Sequence, residues 1–247
     1  MANDQAHGLR RLFARREARM LGVMGGDEST AVTLEFACAF ARLSQRVLIV
    51  DRTCGDASRG LGLRARYDLR HALMGDATLR HVVLEGPHGI TLLPAARGLA
   101  VIEAEAGAAM KLTANLDAAL GPFDLILVNG APLSVPGAGA LLTLAPTSAS
   151  ITLAYTELKK LARAGAPRRC EIVVHKARSE AAALDAFDSV AITAGRFLGM
   201  TLALAGTMPG APRPFHADAH DARSRAAARI AQRLLATPAT ARKAVNH

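Results

Sequence analysis

The stretch of sequence that decides the fold is Met20-Leu21-Gly22-Val23-Met24-Gly25-Gly26-Asp27-Glu28-Ser29-Thr30. It begins as a short apolar strand over residues 20–24, turns through two glycines and opens a helix over residues 30–43 that is rich in Ala and Phe. Glycine permits the backbone conformations that a tight strand-to-helix turn requires. This order predicts the first strand–loop–helix unit of an α/β domain.

The same alternation of strand and helix recurs along the chain as far as about residue 210. The strands are continuously apolar, which is typical of parallel strands buried on both faces. The sequence therefore predicts an α/β fold, a mostly parallel sheet with helices on both faces. The further strands are predicted at residues 46–50, ending at Asp51, and at 89–94, 123–128, 141–145, 171–174 and 201–205. The further helices are predicted at residues 112–120, from a cap at Ser150 to Ala164, at 180–198 and at 223–235.

Pattern and composition divide the chain into three segments. We expect a partner-binding helix at residues 1–19, one α/β domain at 20–210 and a basic tail with an amphipathic helix at 211–247. The chain has 247 residues, 51% of them hydrophobic, which is enough for a sizeable core. No apolar run reaches the ~18 residues of a spanning helix, and the N-terminus lacks a secretory pattern. Three scattered cysteines indicate neither disulfides nor a metal site, so a cytoplasmic protein is expected.

Positive charge is concentrated at the two ends of the chain. The formal net charge is +9, and nearly all of it falls in residues 1–20 and 211–247, which leaves the body close to neutral. Basic ends of this kind indicate binding segments. Their partner could be a phosphate-rich surface, anionic lipid or an acidic protein face.

The glycine turn has the layout of a phosphate-binding loop but lacks the residues that hold phosphate. In such a loop, backbone N–H groups and a lysine hold the phosphates, and a Ser or Thr hydroxyl meets Mg²⁺. The segment resembles the K-G-G-x-G-K-T loop of the MinD/ParA family of P-loop ATPases. Met24 stands at the signature lysine, Glu28 at the third glycine and Ser29 at the phosphate lysine. The matching positions are Gly25, Gly26 and Thr30.

Acidic residues at this loop would oppose a polyphosphate. Asp27 and Glu28 add two negative charges, and a like-charge contact near 4 Å costs about 4 kcal/mol at an effective dielectric constant near 20. The alternative interpretation is a plain strand-to-helix turn whose acids lie favourably at a helix N-terminus.

Two further positions indicate that hydrolysis has been lost. By the resemblance, a second Asp two residues after Asp51 would orient the attacking water, and an Asp after the strand at 123–128 would hold the Mg²⁺ shell. Thr53 and Asn129 stand there instead, and a neutral amide is a poorer partner for Mg²⁺. We therefore expect no catalytic residues, no metal site and at most weak binding of ATP with Mg²⁺. The degenerate positions are Met24, Ser29, Thr53 and Asn129.

Three motifs resemble the FlhG/FleN-like members of this family. The segment Asp4-Gln5-Ala6-His7-Gly8-Leu9-Arg10 is similar to their N-terminal D-Q-A-x-x-L-R motif. The segment Ser150-Ile151-Thr152-Leu153-Ala154-Tyr155 is similar to S-I-T-D-A-Y, with Leu153 in place of the Asp. Residues 173–180 and 196–199 match V-V-N-x-A-x-S-E and R-F-L-G, with His175 in place of the Asn that contacts adenine. Packing of a helix face is an alternative explanation for the third match.

The resemblance implies a regulator of flagellar number and placement. FlhG-like proteins act on an FlhF-like SRP-type GTPase through the N-terminal motif, and on flagellar assembly or transcription factors through the body. The partner-binding residues would be Asp4, Gln5, Leu9 and Arg10. The vestigial nucleotide-binding residues would be Gly25, Gly26, Thr30, Asp51 and His175.

In this family a C-terminal amphipathic helix attaches the ATP-bound dimer to the membrane. Here Ile230, Leu234 and Leu235 form a small apolar face, opposite a basic side that carries Arg225, Arg229 and Arg233. Peripheral attachment to the anionic inner membrane surface would be weak, and an ordinary solvated helix is an equal alternative.

Two other functions stay open beside a regulator that acts by protein binding. One is a working ATPase with an unusual site, and the other is a ParA-like partition protein that binds DNA through its basic ends. The N-terminal motif favours the flagellar regulator, for which no specific nucleic acid is expected as a partner.

Overall fold

The computed structural model describes residues 18–165, 169–211 and 220–236, and within these ranges eight strands form one sheet. The strands are β1 (Arg19–Met24), β2 (Val47–Asp51), β3 (Leu84–Glu85), β4 (Thr91–Pro94), β5 (Leu125–Asn129), β6 (Gly139–Leu144), β7 (Arg169–His175) and β8 (Thr201–Met208). Their order is β3-β4-β2-β5-β1-β6-β7-β8, and neighbours are parallel except for β3 and β4. The predicted, mostly parallel sheet is confirmed. Residues 1–17 of the helix predicted at 1–19, with Asp4, Gln5, Leu9 and Arg10, lie outside the described residues, and Arg19, which was predicted to end that helix, begins β1 instead.

Helices cover both faces of this sheet. They are α1 (Ser29–Arg42), α2 (Asp56–Gly60), α3 (Leu69–Met74), α4 (Leu79–Val82), α5 (Ala96–Ala104), α6 (Ala108–Leu120), α7 (Ser148–Arg163), α8 (Glu180–Leu198) and α9 (Ala222–Ala236). Successive strand residues point to opposite faces. Leu21 and Val23 of β1 therefore pack with α1 and α9, whereas Met20 packs with α5 and α6 and Met24 with α7 and α8. None of the described helices is long and apolar enough to cross a bilayer.

The structure corrects several element boundaries. Helix α7 is capped by Thr147, not by the predicted Ser150, because the Thr147 hydroxyl accepts a hydrogen bond from the Ser150 N–H at 3.3 Å. Ser150 lies inside the first turn, and its own hydroxyl accepts from the Ala145 N–H at 2.9 Å. The short helices α2 to α4 were not predicted, because four to six residues are too few for a helical period to be visible.

Strand β8 runs three residues past the predicted end at residue 205. Its pairing with β7 shifts by one residue between Ile172 and Val173, and β8 continues through Gly206 to Met208. Gly206 has φ +154°, and a Cβ there would lie 2.7 Å from Cγ1 of Ile230. The glycine therefore lets α9 come close to β8.

Helix α9 is part of the core, which corrects the picture of a separate tail with an exposed apolar face. Ile230 and Leu234 are buried in the cluster that contains α1, and Leu235 is half-buried against the same cluster. The Arg19 guanidinium donates to the carbonyl of Leu234 near the end of the helix. The face predicted to meet a membrane is thus the face that packs on the sheet.

A buried ion pair fastens the start of α9. Arg223 is 3% exposed, and its Nε and Nη2 donate to the two carboxylate oxygens of Glu35 on α1, at 2.6 and 2.9 Å. Its Nη1 donates to the carbonyls of Pro209 and Gly210 at 3.1 and 2.8 Å. One guanidinium therefore joins α1, the end of β8 and α9.

We predict that Arg223→Ala lowers the free energy of unfolding by about 3 kcal/mol, because breaking a buried ion pair from one side leaves its partner groups desolvated. Arg229→Ala, which removes the same charge from the exposed side of α9, should cost less than about 0.5 kcal/mol. Urea unfolding of the three proteins checks this, and an equal loss in both variants would contradict it.

Candidate functional site

Polar side chains meet at the carboxyl ends of the central strands β1, β2 and β5. Asp51 ends β2 and Asn129 ends β5, and the two are direct partners in the parallel register. Asn129 also pairs with Val23 of β1, one residue before the loop that leads into α1. Asp51 and Asn129, each of which the sequence places at the end of an apolar strand, therefore lie side by side at one edge of the sheet. Crevices that bind ligands in open α/β sheets form at this edge.

Side chains from α1, β2 and β5 form a continuous hydrogen-bond network, which we call the buried polar cluster: Thr30, Asp51, Thr53 and Asn129. The Asn129 amide Nδ2 donates to Oδ1 of Asp51 and to Oγ1 of Thr30, each at 3.0 Å. The Thr33 hydroxyl, one turn further along α1, lies 3.3 Å from Oδ1 of Asn129. The amide thus ties the first turn of α1 to the end of β2.

Asp51 has a full set of hydrogen-bond donors from the protein itself. Its carboxylate is 0% exposed. Oδ1 accepts from the Thr53 N–H at 3.0 Å and the Thr53 hydroxyl at 2.6 Å, in addition to Asn129, and Oδ2 accepts from the Ala57 N–H at 3.2 Å. The Thr53 hydroxyl in turn accepts from the Asp56 N–H at 2.9 Å. The carboxylate is therefore stabilised without a cation.

The glycine turn is tightly covered by its neighbours. Gly25 has φ +134°, and a Cβ there would lie 2.0 Å from Oγ1 of Thr143 on β6. Gly26 has φ +76°, and a Cβ there would lie 2.5 Å from Cδ2 of Leu153 on α7. The Leu153 side chain therefore lies directly over the loop. Met24, at the position of the family's signature lysine, is 3% exposed and packs into the core.

The loop residue Glu28 contacts the end of β7. Its Oε1 accepts a charged hydrogen bond from Nζ of Lys176, and its Oε2 lies 3.4 Å from Nδ1 of His175. The Glu28 side chain is 34% exposed, so this ion pair is only partly screened by solvent. The contact joins the loop after β1 to His175, the position at which the resembling family has an Asn that contacts adenine.

Burial keeps His175 neutral. The side chain is 2% exposed as a residue, and desolvation lowers its pKa from 6.5 to about 4. The Glu28 carboxylate opposes this and raises the pKa, whereas the cations of Arg223 and Lys176 lower it further. At neutral pH the ring is therefore a polar but uncharged group.

The structure brings together most of the residues that the sequence predicted. Thr30, Asp51, Thr53 and Asn129 form one cluster, with Gly25 and Gly26 beside them. His175 lies outside this cluster, at the end of β7, and contacts the glycine loop through Glu28. The Ser29 carbonyl accepts from the Thr33 hydroxyl at 2.8 Å, so Ser29 is an ordinary first-turn residue of α1.

Sequence reasoning did not assign two residues to this site. Leu153 covers Gly26, and the only signal for it was the replacement of an Asp in the resembling motif. Lys176 has φ +59°, a left-handed conformation that places its amine against Glu28 and cannot be read from residue types.

Comparison with known proteins gives two relatives in sequence. The chain is 30% identical over 206 residues to the antiactivator FleN of Pseudomonas aeruginosa, covering 76% of this chain and 71% of FleN. It is 34% identical over 124 residues to the chromosome-partitioning ATPase Soj of Thermus thermophilus, covering 49% of this chain and 48% of Soj. No protein-family model matches the chain.

Solved structures also share the fold, and two of them illustrate it. The cell division protein MinD of Aquifex aeolicus matches with a TM-score of 0.66 and 22% identity, over 90% of this chain and 98% of MinD. A putative plasmid partition protein of Borrelia burgdorferi, solved with AMPPNP, matches with a TM-score of 0.64 and 10% identity, over 89% of this chain and 98% of that one.

We predict that His175 makes the fold sensitive to acid. Because its pKa of about 4 in the folded state is below 6.5, the unfolded chain binds the proton more readily between these values. Stability that is present above pH 6.5 is therefore lost as the pH falls towards 4, by about 2 kcal/mol between pH 7 and pH 5.

Urea unfolding at pH 7 and pH 5 measures this loss in the wild type, in His175→Asn and in His81→Asn. His81 is exposed, so its variant should keep the wild-type dependence, whereas His175→Asn should flatten it. The assignment is wrong if His175→Asn keeps the full dependence.

Proposed function

Since the chain belongs to the FleN-like branch of the MinD/ParA family of P-loop ATPases, we propose that it regulates flagellar number or placement by binding other proteins, without hydrolysing ATP. The name antiactivator describes its relative as a protein that opposes an activator, which is an effect that binding alone can produce.

The observation that carries this proposal is the closure of the buried polar cluster on itself. Mg²⁺ prefers oxygen ligands in a near-octahedral arrangement and is held through carboxylates and substrate phosphates. Here the side-chain amide nitrogen of Asn129 donates one hydrogen bond to the Asp51 carboxylate and one to the Thr30 hydroxyl. A donor group at this position competes with a cation, so these residues do not fit a magnesium–nucleotide complex.

The chemistry of the loop supports the same proposal. A phosphate loop neutralises its ligand with lysine, whereas this one presents Glu28 and holds the nearby Lys176 in an ion pair with it. Leu153 adds an apolar side chain directly over Gly26. Phosphate oxygens brought to this loop would lose their hydrogen bonds to water. They would find Lys176 already paired with Glu28, and the backbone at Gly26 covered by Leu153.

The proposed partners follow from the family. An FlhF-like SRP-type GTPase would bind the N-terminal segment through Asp4, Gln5, Leu9 and Arg10, and flagellar assembly or transcription factors would bind the α/β body. Without an ATP-driven change of state, the body would offer the same surface at all times. Its control would then come from its abundance or from a ligand other than ATP.

The proposed location is the cytoplasm. Attachment to the inner membrane through Ile230, Leu234 and Leu235 would first require α9 to leave the core, because two of these side chains are buried there. Burying a leucine or isoleucine side chain is worth about 1.5–3 kcal/mol, so the docked helix is the preferred state.

We predict no ATPase activity above background and no ATP-driven dimer for the purified protein. Phosphate release and light scattering check these two parts, and calorimetric titration with Mg²⁺-ATP measures any binding that precedes them. A useful positive control is the quadruple variant Glu28→Gly, Ser29→Lys, Asn129→Asp, Leu153→Asp, which restores family residues at the loop and in the buried polar cluster and should regain measurable nucleotide binding. Mg²⁺-dependent turnover by the wild type that Thr30→Ala abolishes would overturn the proposal.

For the N-terminal segment we predict that the double variant Gln5→Ala, Leu9→Ala loses binding to the cognate FlhF-like GTPase and stimulation of its GTP hydrolysis, because it removes a polar and an apolar contact together. Arg15→Ala, Arg16→Ala lies nearby outside the motif and serves as the control for general basic charge. Pull-down and GTPase assays with equal activity in the wild type and the Gln5, Leu9 variant would rule out this contact.

A further inference from the structure

A second concave site lies beside the buried polar cluster, at the carboxyl ends of β2 and β4. It is a cleft of about 540 Å³, which is within the range of about 300–1,000 Å³ typical of small-molecule sites. Its wall is formed by the segment after α2, the start of α3 and the first turn of α5. We call it the arginine cleft, after the side chains of Arg64, Arg66 and Arg97 that line it.

The charge of this cleft is not balanced by its own residues. None of the three guanidinium groups has a carboxylate partner among the residues that the structure describes. A fourth arginine in the wall, Arg59, is paired with Asp56. The carboxylate of Asp68 also lines the cleft, but it is engaged with the backbone and does not pair with an arginine.

Asp68 gives the cleft a fixed shape. Its carboxylate accepts from the N–H groups of Arg70, Arg97 and Gly98, at 2.9, 3.2 and 2.9 Å. The start of α3 is thereby bonded to the start of α5, and the segment that carries Arg64 and Arg66 lines the same cleft as Arg97. Asp68 also occupies the amino terminus of α5, so any anion must be recognised by the guanidinium groups and not by that helix end.

The cleft also offers a surface for a planar group. The Arg66 guanidinium lies 5.3 Å from the centre of the Tyr67 ring, and the ring of His71 meets Tyr67 edge-on at 5.4 Å. Guanidinium groups bind phosphate through two parallel hydrogen bonds, and they stack on flat rings. A concave cleft of this volume, open to solvent and lined by three arginines and an aromatic ring, fits a small ligand better than it fits the flat face of a macromolecule.

We infer that the arginine cleft binds a small phosphorylated ligand with at least two negative charges, held by Arg64, Arg66 and Arg97. The inference goes beyond the proposed function and does not depend on it. Thr53 lines the cleft and also donates to Asp51, so a ligand bound here lies next to the buried polar cluster. An anion bound in the cleft would therefore lie beside Thr53, which contacts Asp51, and would not use the glycine loop.

The test is calorimetric titration of the full chain with inorganic pyrophosphate, in the absence of Mg²⁺ and at near-physiological salt. The double variant Arg64→Gln, Arg97→Gln should weaken binding by at least tenfold. The matched control Arg163→Gln, Arg229→Gln removes the same charge from exposed positions on α7 and α9 and should bind as the wild type does. All four arginines are exposed, and circular dichroism and urea unfolding verify that each variant is folded.

Four results would overturn the inference. The first is no binding of pyrophosphate by the wild type, and the second is equal weakening in both double variants, which would indicate charge attraction without a site. The third is binding that Thr30→Ala abolishes and the cleft variant keeps, which would place the anion in the glycine loop and would also argue against the proposed function. The fourth is a tetraglutamate peptide that binds the cleft more tightly than pyrophosphate does, which would make the cleft a docking site for an acidic protein segment.

Discussion

A carboxylate that is fully removed from water must be given donors, and Asp51 imposes this requirement on the whole carboxyl edge of the sheet. The donors come from three different elements: the backbone and hydroxyl of Thr53, the first turn of α2 and the amide of Asn129 on β5. Because the same amide reaches Thr30, the demand of one charge fixes the mutual positions of β2, β5 and α1. With both of its ends fixed in this way, the glycine loop between β1 and α1 has few conformations open to it.

Thr53 and Asn129, the two residues that replace acids of the resembling motifs, meet this requirement together. In the resembling family an acid at the end of the fifth strand would face the acid at the end of the second, and a cation would be needed between two buried carboxylates. An amide at position 129 removes one charge and supplies the N–H that the other charge needs. Thr53 supplies two donors where a further acid would have added repulsion. These residues therefore satisfy one another's hydrogen bonds within the cluster.

Much of the sheet could be predicted from the sequence, because continuously apolar strands and intervening helical periods are local signals. The proximity of Asp51 and Asn129 was also predictable, since the carboxyl ends of neighbouring parallel strands lie at one edge. The Lys176 contact was not, because it depends on a left-handed residue and a partner 148 positions away. The docking of α9 was missed for a related reason: a narrow apolar stripe with arginines opposite has the same pattern on a membrane and on a sheet. The burial of Arg223 against Glu35 and the glycine at position 206 both belong to the docked helix.

The close contact between Gly206 and Ile230 limits which residues position 206 can hold while α9 is docked. A glycine inside a strand often marks a bulge or a close approach of another element, and both occur at Gly206: the register shifts beside it, and Ile230 occupies the space of its missing side chain. A larger side chain at position 206 would therefore collide with Ile230 unless α9 moved away from the sheet. The packing of α9 on the sheet thus depends on the size of a residue in β8, outside the C-terminal segment.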